Sequence, residues 1–421
     1  MIVPSIDISG GQAVQLVGGE RLAIEAGDPF PILERFALVG EVAVVDIDAA
    51  RGEGDNKDLI AELCRRGRVR VGGGIRDLPT AWRWLDLGAE KVVIGTAATP
   101  ELLAELPSDR VIVALDSRDG EVLTHGWRRG TGTGVLERVQ QLRGLCGGFL
   151  ITFIEREGRV SGTDLDRAAM VIEVASPARV TVAGGITTAA EVAKLDRLGA
   201  DAQVGMALYG GQLTLAESLG SMMRSDRPDG LWPTVVVDES GTALGLVYSS
   251  AESLGRAMEE RQGIYQSRTR GIWVKGETSG ASQELLSVDV DCDRDTLRFT
   301  VRQHGRGFCH TGTWQCWGDD RGLGRLERRV SSIAGAPDPE SNTYRLLQEP
   351  ELLAAKLIEE ATELAAAESK EDVIHESADL IYFLLVRARS AGVDLDEVAR
   401  ELDRRERRVT RRPMTPKESL R

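Results

Sequence analysis

The densest set of potential metal ligands in the chain lies between positions 291 and 316, which read DCDRDTLRFTVRQHGRGFCHTGTWQC. Three of the five cysteines fall in this stretch, at Cys292, Cys309 and Cys316. Thiolates are soft ligands that suit Zn²⁺, and three of them leave one zinc position open. A catalytic zinc needs such a position to bind and acidify water. The stretch predicts a catalytic zinc; the alternatives are a structural zinc knuckle or a charged turn with buried cysteines.

Three carboxylates alternate with other residues around the first of these cysteines, at Asp291, Asp293 and Asp295. If this piece is a strand, the three aspartates share one face and Cys292 points to the other. Hard oxygen ligands suit Mg²⁺. The pattern therefore predicts a magnesium site a few ångströms from the zinc.

The chain that must position these residues has 421 amino acids, which exceeds one ordinary core and predicts two to four domains. Its formal net charge of −14 argues against general nucleic-acid binding. It leaves phosphorylated substrates possible, since backbone N–H groups can hold them. The few cysteines indicate a reducing compartment, and neither a signal peptide nor a membrane span is evident. A cytoplasmic protein is expected.

Residues 1 to about 224 alternate short apolar runs with amphipathic helical runs, a pattern that predicts a (β/α)₈ TIM barrel. Helices are expected at Thr80–Leu87 and Ala189–Leu198, among others. The expected strands end at Asp7, Asp48, Gly74, Thr96, Asp116, Ile154, Gly185 and Gly205.

This region also contains an internal repeat. VGGGIRDLPTAWRWLDLGAEKVVIGTA, from Val71, recurs as VAGGITTAAEVAKLDRLGADAQVGMA, from Val182, and Asp7 and Asp116 are separated by a similar offset. A half-barrel duplication predicts two carboxylates that face each other and two phosphate sites on opposite rims, each formed by glycine N–H groups at a helix start. The residues predicted for the phosphate sites are Gly73, Gly74, Gly95, Thr96, Gly184, Gly185 and Gly205.

Two phosphate sites with an acid–base pair between them fit an isomerase of a long bisphosphate. Residues 1 to about 222 resemble the ProFAR isomerase of histidine biosynthesis, a barrel that performs an Amadori rearrangement. The motifs that carry this resemblance are PSID, ALDSR, ITFIEREG and HGW. The resemblance implies Asp7 as base, Asp116 as acid, Thr152 as a further catalytic residue and Trp127 as the cover of the aminoimidazole.

Two departures from the family pattern leave alternatives open. Gln15 stands where the family has arginine, and Glu157-Gly158-Arg159 stands where it has D-G-T. The barrel is thus expected to be an active isomerase, an inactive scaffold, or an isomerase that also accepts phosphoribosylanthranilate.

After a polar linker, Ser225 to Gly230, short β-rich runs predict an α+β domain with antiparallel strands. SRTRGIWVKGETSG, DCDRD and CHTGTWQC make it resemble phosphoribosyl-AMP cyclohydrolase. The resemblance implies Mg²⁺ on the three aspartates, Zn²⁺ on the three cysteines, metal-assisted opening of the adenine ring, and a homodimer whose subunits share each zinc. Arg268 and Lys275 are candidates for the substrate phosphate, with a solvated strand face as the alternative. His310 is a candidate to assist the water.

From about residue 321 the composition predicts helices, interrupted at Gly335 to Ser341. Glu360 and Glu363 share one helix face, and Glu376 and Asp379 share a face of the next. Such carboxylates can hold Mg²⁺ bound to a polyphosphate, or form two solvated acidic faces.

The same segment, KLIEEATELAAAESKEDVIHESADLIYFLLV, resembles the all-α, MazG-like phosphoribosyl-ATP pyrophosphohydrolase, which favours the metal site and implies pairing with a second subunit. A basic tail, Arg404 to Arg412, follows.

Together these patterns predict a multidomain enzyme with an isomerase barrel at 1–224, a cyclohydrolase domain at 227–320 and a pyrophosphohydrolase domain at 321–421. It would catalyse three consecutive steps of histidine biosynthesis, with the domains in reverse order of the steps. The expected cofactors are Zn²⁺ and Mg²⁺. The expected partners are small phosphoribosyl substrates and a second copy of the chain, with no nucleic acid and no membrane.

Overall fold

A computed structural model describes residues 1–124, 127, 129–159, 161–336 and 338–410. The first part of the chain contains twelve strands that join one sheet. They are β1 (Ile2–Ser9), β2 (Gln12–Val17), β3 (Arg21–Gly27), β4 (Val42–Asp46), β5 (Val69–Gly72), β6 (Lys91–Ile94), β7 (Val111–Arg118), β8 (Glu121–Thr124), β9 (Arg129–Gly134), β10 (Gly148–Phe153), β11 (Arg179–Ala183) and β12 (Asp201–Val204).

Eight of these strands form a closed parallel barrel in the order β1-β4-β5-β6-β7-β10-β11-β12, and β12 pairs with β1 to complete the circle. The predicted (β/α)₈ barrel is therefore confirmed. The barrel strands are apolar and rich in β-branched residues, as at Val44, Val71 and Val113, which have no exposed surface. On the alternate strand face, Ile112, Leu150 and Ala183 form a second buried cluster. Burial on both faces is what such apolar runs require.

Ten helices surround or cap the barrel strands within the described residues. They are α1 (Pro29–Phe36), α2 (Ile47–Arg51), α3 (Lys57–Arg66), α4 (Leu78–Asp86), α5 (Pro100–Ala104), α6 (Val135–Leu142), α7 (Leu165–Ala175), α8 (Ala189–Arg197), α9 (Met206–Tyr209) and α10 (Leu215–Met222).

The helices predicted at 80–87 and 189–198 correspond to α4 and α8. The first begins two residues earlier than expected because Asp77 caps it, its carboxylate accepting the N–H of Thr80 at 2.8 Å. Thr188 and Glu191 form a capping box at the start of the other.

The half-barrel repeat is visible as repeated structure. A two-stranded excursion, β2–β3, follows β1, and a second one, β8–β9, follows β7 at the corresponding place in the other half. Both excursions pair antiparallel with the end of their barrel strand, so they rise from the same rim. The carboxyl ends of β1 and β7 thus lie in equivalent surroundings.

Charged side chains close the opposite end of the barrel, where the strands begin. Arg70 of β5 is 7% exposed and donates to Thr181 of β11 at 3.0 Å, and it also pairs with Glu41. Asp201 of β12 accepts two hydrogen bonds from Arg179 at 2.7 and 2.9 Å. Buried charges are tolerated here because each has an opposite charge within reach.

After α10 the chain runs without regular structure to β13, which agrees with a linker near residues 225–230. A four-stranded sheet follows in the order β14-β13-β18-β17, with a separate β15–β16 hairpin and one helix. These elements are β13 (Trp232–Asp238), β14 (Ala243–Ser249), α11 (Ala251–Glu260), β15 (Ile264–Ser267), β16 (Gly271–Val274), β17 (Gln283–Val290) and β18 (Leu297–Gln303).

The remaining described residues form five helices, as the composition predicted. They are α12 (Gly322–Gly335), α13 (Asn342–Gln348), α14 (Pro350–Ala366), α15 (Lys370–Ser390) and α16 (Leu395–Glu406). The predicted interruption falls between α12 and α13, where Ser341 caps the second helix. A small core that includes Val330, Leu353, Phe383 and Val386 holds the helices together.

The chain divides into two compact units. The first contains residues 1–235, 246–301 and the segment from 404 onward, and the second contains residues 236–245 and 302–403. In the described part of the chain, every helix is too short or too polar to cross a membrane.

Candidate active sites

Two aspartates lie at the carboxyl ends of the equivalent strands β1 and β7. Burial raises the pKa of Asp7 to about 7. Burial also raises the pKa of Asp116, although hydrogen bonds from Trp127 and Thr152 lower it in part. Thr152 reaches Asp116 because β10 pairs with β7 in a register that sets the two residues opposite each other. The pair is thus placed to exchange protons with a substrate at neutral pH.

A third carboxyl group, Glu157, joins this pair. Burial, and then repulsion from Asp7 and Asp116, raise the pKa of Glu157 to about 8. Three carboxyl groups so close together cannot all ionise. The sequence identifies Glu157 only as a departure from the family pattern. Its proximity to both aspartates depends on the course of the loop after β10, which the sequence does not show. Arg159, two residues further on, is exposed.

Trp127 contacts both Asp116 of β7 and the loop between β2 and β3. Its ring packs so closely on Gly19 that a Cβ at that glycine would lie 2.4 Å from it. The indole N–H donates to Asp116. These contacts suit an aromatic cover over a planar ligand. The flanking residues 125, 126 and 128 lie outside the described part of the chain.

The glycine pairs form two equivalent turns. Gly73 and Gly184 both have φ of +95°, and an added Cβ would lie 2.2 Å from the Asp46 carbonyl oxygen or 2.6 Å from that of Phe153. Only glycine combines this backbone conformation with such close approach. Their neighbours Gly74 and Gly185 also have positive φ.

A cavity opens at the second of these turns. Gly205 begins the short helix α9 there, so backbone N–H groups face the cavity as they do in anion sites. The lining includes Ser5, Glu157, Gly184, Gly185, Gly205 and Met206.

The turn after β6 differs from its counterpart. Gly95 and Thr96 enter a turn closed by the Ala98 N–H on the Gly95 carbonyl at 2.9 Å, and α5 begins only at Pro100. Gly95 and Thr96 therefore precede α5 by several residues and do not themselves begin a helix.

Gln15 is buried beside the second turn. Its amide N–H₂ donates to the Val14 carbonyl at 2.9 Å, and an added Cβ at Gly205 would lie 2.6 Å from its Oε1. The residue that replaces the family arginine thus lies against a predicted phosphate-site residue.

The three aspartates of the DCDRD motif lie close together, but in a turn and not on a strand. β17 ends at Val290 and β18 begins at Leu297, so the motif forms the connecting turn and the strand prediction is wrong. Asp291 Oδ1 accepts the N–H groups of Asp295 and Thr296 at 3.0 and 3.1 Å, which curls the turn around it. The ligand oxygens of Asp291, Asp293 and Asp295 lie within 4.8 Å of one another. The set fits a hard cation.

The three predicted zinc ligands are the accessible cysteines, whereas Cys64 and Cys146 are buried. Cys292 belongs to the first unit, and Cys309 and Cys316 to the second. The Thr311 hydroxyl donates to Cys309 Sγ at 3.0 Å, and this hydrogen bond leads the contacts that lower the pKa of Cys309 to about 6. A thiol that ionises this easily fits a Zn²⁺ ligand.

The remaining predicted residues of this region have varied surroundings. His310 is exposed, with Nδ1 3.9 Å from Cys309 Sγ. Arg268 is exposed in the β15–β16 turn and its guanidinium lies 5.1 Å from the centre of the Tyr248 ring. Lys275 is half-buried just after β16.

The helical carboxylates lie on the packed helices α14 and α15. Ligand oxygens of Glu360, Glu376 and Asp379 lie within 4.8 Å of one another, and Glu363 belongs to an overlapping group with Glu359 and Glu360. Glu360 is only 5% exposed, and Lys356 pairs with it at 3.1 Å. Desolvation and then repulsion from Glu363 raise the pKa of Glu376. Mutually repelling carboxylates of this kind fit a divalent cation.

A parallel barrel with acid–base carboxylates and glycine turns at one rim defines a (β/α)₈ enzyme barrel, here joined to two candidate metal centres. Family models match in the same order: histidine biosynthesis protein over residues 1–214, phosphoribosyl-AMP cyclohydrolase over 245–318 and phosphoribosyl-ATP pyrophosphohydrolase over 324–406. The chain belongs to the histidine biosynthesis protein family. The three resemblances seen in the motifs are confirmed.

Individual relatives agree with these matches. A Neurospora crassa histidine biosynthesis trifunctional protein is 39% identical over 344 residues, which are 78% of this chain and 36% of that protein. The Schizosaccharomyces pombe histidine biosynthesis bifunctional protein is 49% identical over 201 residues, or 48% of each chain. The chain therefore spans between about a third and a half of the length of these two relatives.

A third relative covers the barrel alone. The 1-(5-phosphoribosyl)-5-((5-phosphoribosylamino)methylideneamino) imidazole-4-carboxamide isomerase of Gemmatimonas aurantiaca is 40% identical over 235 residues, which are 52% of this chain and 99% of that protein.

Proposed function

We propose that this chain catalyses three consecutive steps of histidine biosynthesis, with one active site in each of three domains at 1–224, 227–320 and 321–421. The helical domain hydrolyses phosphoribosyl-ATP to phosphoribosyl-AMP and pyrophosphate, the middle domain opens the adenine ring to give ProFAR, and the barrel isomerises ProFAR to PRFAR. The observation that carries the proposal is the succession of three family matches, each of which falls on a convergent set of reactive side chains.

In the barrel, Asp116 is the general acid and Asp7 the general base. Asp116 protonates the ribose ring oxygen, which opens the ring, and Asp7 then removes the C2 proton to give the enolamine that becomes the ketose. A pKa of about 7 lets Asp7 take up and release a proton at neutral pH. Thr152 and Trp127 orient Asp116 through their hydrogen bonds, and Trp127 also covers the aminoimidazole.

Two opposite sides of the barrel mouth hold the two phosphates of the substrate. Gly184, Gly185 and Gly205 line the cavity on one side. On the other side, Gly73 and Gly74 form the equivalent turn, and Gly95 and Thr96 follow β6. Bound at both ends, a long bisphosphate spans the carboxyl groups in the centre.

In the middle domain, Cys292, Cys309 and Cys316 would hold Zn²⁺, and Asp291, Asp293 and Asp295 would hold Mg²⁺. These ions supply Lewis acidity and a water nucleophile for the ring opening. Thr311 stabilises the thiolate of Cys309. Arg268 and Lys275 bind the substrate phosphate, and His310 moves a proton of the attacking water.

In the helical domain, Glu360, Glu363, Glu376 and Asp379 would hold Mg²⁺ bound to the triphosphate of phosphoribosyl-ATP. Lys356 pairs with Glu359 and Glu360 at 2.9 and 3.1 Å and orients them.

We further infer that the working form is a cytoplasmic homodimer. α14 and α15 expose Ile358, Ile374 and Ile381, with 69%, 59% and 37% of their surface accessible, which favours a second copy over solvent. The accessible cysteine thiols suit a reducing compartment.

The test is a single-pot assay. Purified protein receives phosphoribosyl-ATP with both metal ions, and phosphoribosyl-AMP, ProFAR and PRFAR should appear in that order by chromatography. A chelator should stop the two hydrolytic steps, whereas added ProFAR should still yield PRFAR. Asp7→Asn should stop the reaction series at ProFAR, and Asp119→Asn, at an exposed carboxylate just after β7, should not.

Failure to form PRFAR while both hydrolases work would favour a barrel that serves only as a scaffold. The buried Gln15, which replaces the family arginine, is the residue that motivates this alternative. A parallel assay with phosphoribosylanthranilate tests the second substrate.

A further inference from the structure

The turn that carries the three metal-ligand aspartates contains an arginine with an unusual backbone. Arg294 lies between Asp293 and Asp295 and has φ of +69°, in the left-handed region that non-glycine residues rarely adopt. Such a conformation is energetically unfavourable and persists only where the surroundings fix it. The side chain of Arg294 shows what fixes it here.

Arg294 joins the turn to the barrel. Its Nε and Nη2 donate to the two carboxylate oxygens of Asp196, at 3.0 and 2.8 Å, and its Nη1 donates to the Asp291 carbonyl at 2.8 Å. The Arg294 carbonyl in turn accepts the N–H of Arg224 at 2.6 Å. One guanidinium therefore ties a barrel carboxylate to the backbone of a predicted magnesium ligand.

The barrel side of this contact is itself fixed. Asp196 lies in the last turn of α8, its side chain is 8% exposed, and it also accepts a hydrogen bond from the Met1 amino group at 3.2 Å. The same amino group lies 2.9 Å from Asp201, which Arg179 holds. Asp196 thus presents its carboxylate in one orientation.

A second arginine–aspartate pair of the same hairpin provides the comparison. Arg298 and Asp289 lie 3.0 Å apart, but their side chains are 59% and 44% exposed, whereas that of Arg294 is 17% exposed. Exposed pairs of this kind contribute little. A bidentate, largely buried pair fixes geometry much more strongly.

We propose that the barrel positions the magnesium-binding turn of the cyclohydrolase domain through the Asp196–Arg294 pair. Arg294 is a positioning residue: it holds the Asp291 backbone, and hence the spacing of the three carboxylates, in the arrangement a hard cation requires. Asp196 acts through Arg294 and touches none of the three ligands. This inference rests on the proposed metal role of the aspartates, and it makes the barrel a part of the second reaction as well as the site of the third.

The direct test is cation affinity in the full-length protein. Mn²⁺ binding is followed by electron paramagnetic resonance in a Glu360→Gln, Glu376→Gln background, which removes the helical carboxylate site. Arg294→Gly relieves the backbone strain and removes the guanidinium, and Asp196→Asn breaks the ion pair from the barrel side. Each is expected to weaken Mn²⁺ binding by about 10-fold or more, as loss of an outer-shell partner does.

Four further measurements separate positioning from general damage. Arg294→Lys keeps the charge without the bidentate geometry and should recover only part of the affinity. The double variant Asp196→Asn, Arg294→Gly should bind no more weakly than Arg294→Gly alone, because both changes break one interaction. Arg298→Ala should leave Mn²⁺ affinity unchanged, and the rate of ProFAR isomerisation should stay within about twofold throughout, since a folded barrel is all that this rate requires.

Two results overturn the inference in distinguishable ways. Wild-type affinity in both Arg294→Gly and Asp196→Asn would refute positioning while leaving the metal site intact. If Asp293→Asn and Asp295→Asn also leave Mn²⁺ binding unchanged, then the aspartates are not the cation site, and the proposed metal role fails together with the inference.

Discussion

At the scale of single residues, the barrel mouth concentrates Asp7, Asp116 and Glu157 in one place where burial disfavours charge. Each carboxyl that ionises makes the next harder to ionise. Such a group of carboxyls shares its protons, so one member can act as an acid while another acts as a base. The hydrogen bonds that Trp127 and Thr152 donate to Asp116 distinguish it from Asp7, which has none of comparable effect on its pKa.

The pKa of Asp7 predicts how both the isomerisation rate and the stability of the folded protein depend on pH. As a base, Asp7 must be ionised, so kcat/KM for ProFAR isomerisation should rise with pH through about 7. Its folded pKa lies above its unfolded value of 3.8, so the folded state binds the proton more tightly and the free energy of unfolding should fall as pH rises from about 4 to 7.

Asp7→Asn tests both consequences. It should lower the rate by on the order of 10²–10⁴-fold and reduce the fall in stability between these pH values. Pre-steady-state assays and urea unfolding at several pH values provide the measurements, with Asp119→Asn as the exposed control. An unchanged slope of stability against pH in Asp7→Asn would show that this carboxyl is not the buried titrating group.

The sequence could predict the residues that sit on repeated strands. Asp7 and Asp116 follow from the duplication, because equivalent strand ends must face each other across a closed barrel. Glu157 could not be placed in this way, since the course of the loop after β10 brings it to the aspartates and no periodicity reports that course. The contact of Gln15 with Gly205 is similarly a tertiary one.

At the scale of elements, the turns after β5 and β11 lie at the carboxyl-terminal rim of the barrel. The glycines of each turn allow it to pass very close to the end of the preceding barrel strand, β4 or β10. Local patterns predicted these units well because apolar strands and caps are encoded within a few residues. They failed at DCDRD, where the alternation resembles a strand but the Asp291 carboxylate accepts two backbone N–H groups in a turn.

Gly184→Ala should separate close approach from backbone strain. Its Cβ would lie 2.6 Å from the Phe153 carbonyl oxygen, so the turn must shift, and we expect a loss of about 1–3 kcal/mol in the free energy of unfolding together with a raised KM for ProFAR. Gly199→Ala is the matched control: its φ is also positive, at +86°, but a Cβ there meets nothing within 4 Å. Urea unfolding and steady-state kinetics of both variants provide the comparison, and equal KM values would contradict a role of this turn in substrate binding.

At the scale of the whole molecule, a segment near the end of the described chain packs against the barrel. Arg407 pairs with Glu90 at 2.5 Å, and its carbonyl accepts a hydrogen bond from Arg110 at 2.8 Å. The sequence identifies only a basic tail, Arg404 to Arg412. It could not place the tail on the barrel, because the partners lie some 300 positions away and nothing in a single chain marks such a pairing.

Removal of this contact should weaken the barrel without touching its chemistry. Deletion of residues 407–421 eliminates the Arg407 pair and the N–H groups that Val409 and Thr410 donate to Asp86 at 3.2 and 2.9 Å. Because the Arg407 and Val409 contacts are partly buried, we expect a loss of about 1–3 kcal/mol in the free energy of unfolding of the first unit, with kcat for ProFAR isomerisation unchanged. Deletion of 411–421 alone retains all three residues and should match the full chain. If both deletions unfold alike in urea, then the docked segment does not stabilise the barrel; if the longer deletion lowers kcat, then the tail reaches the active site as well.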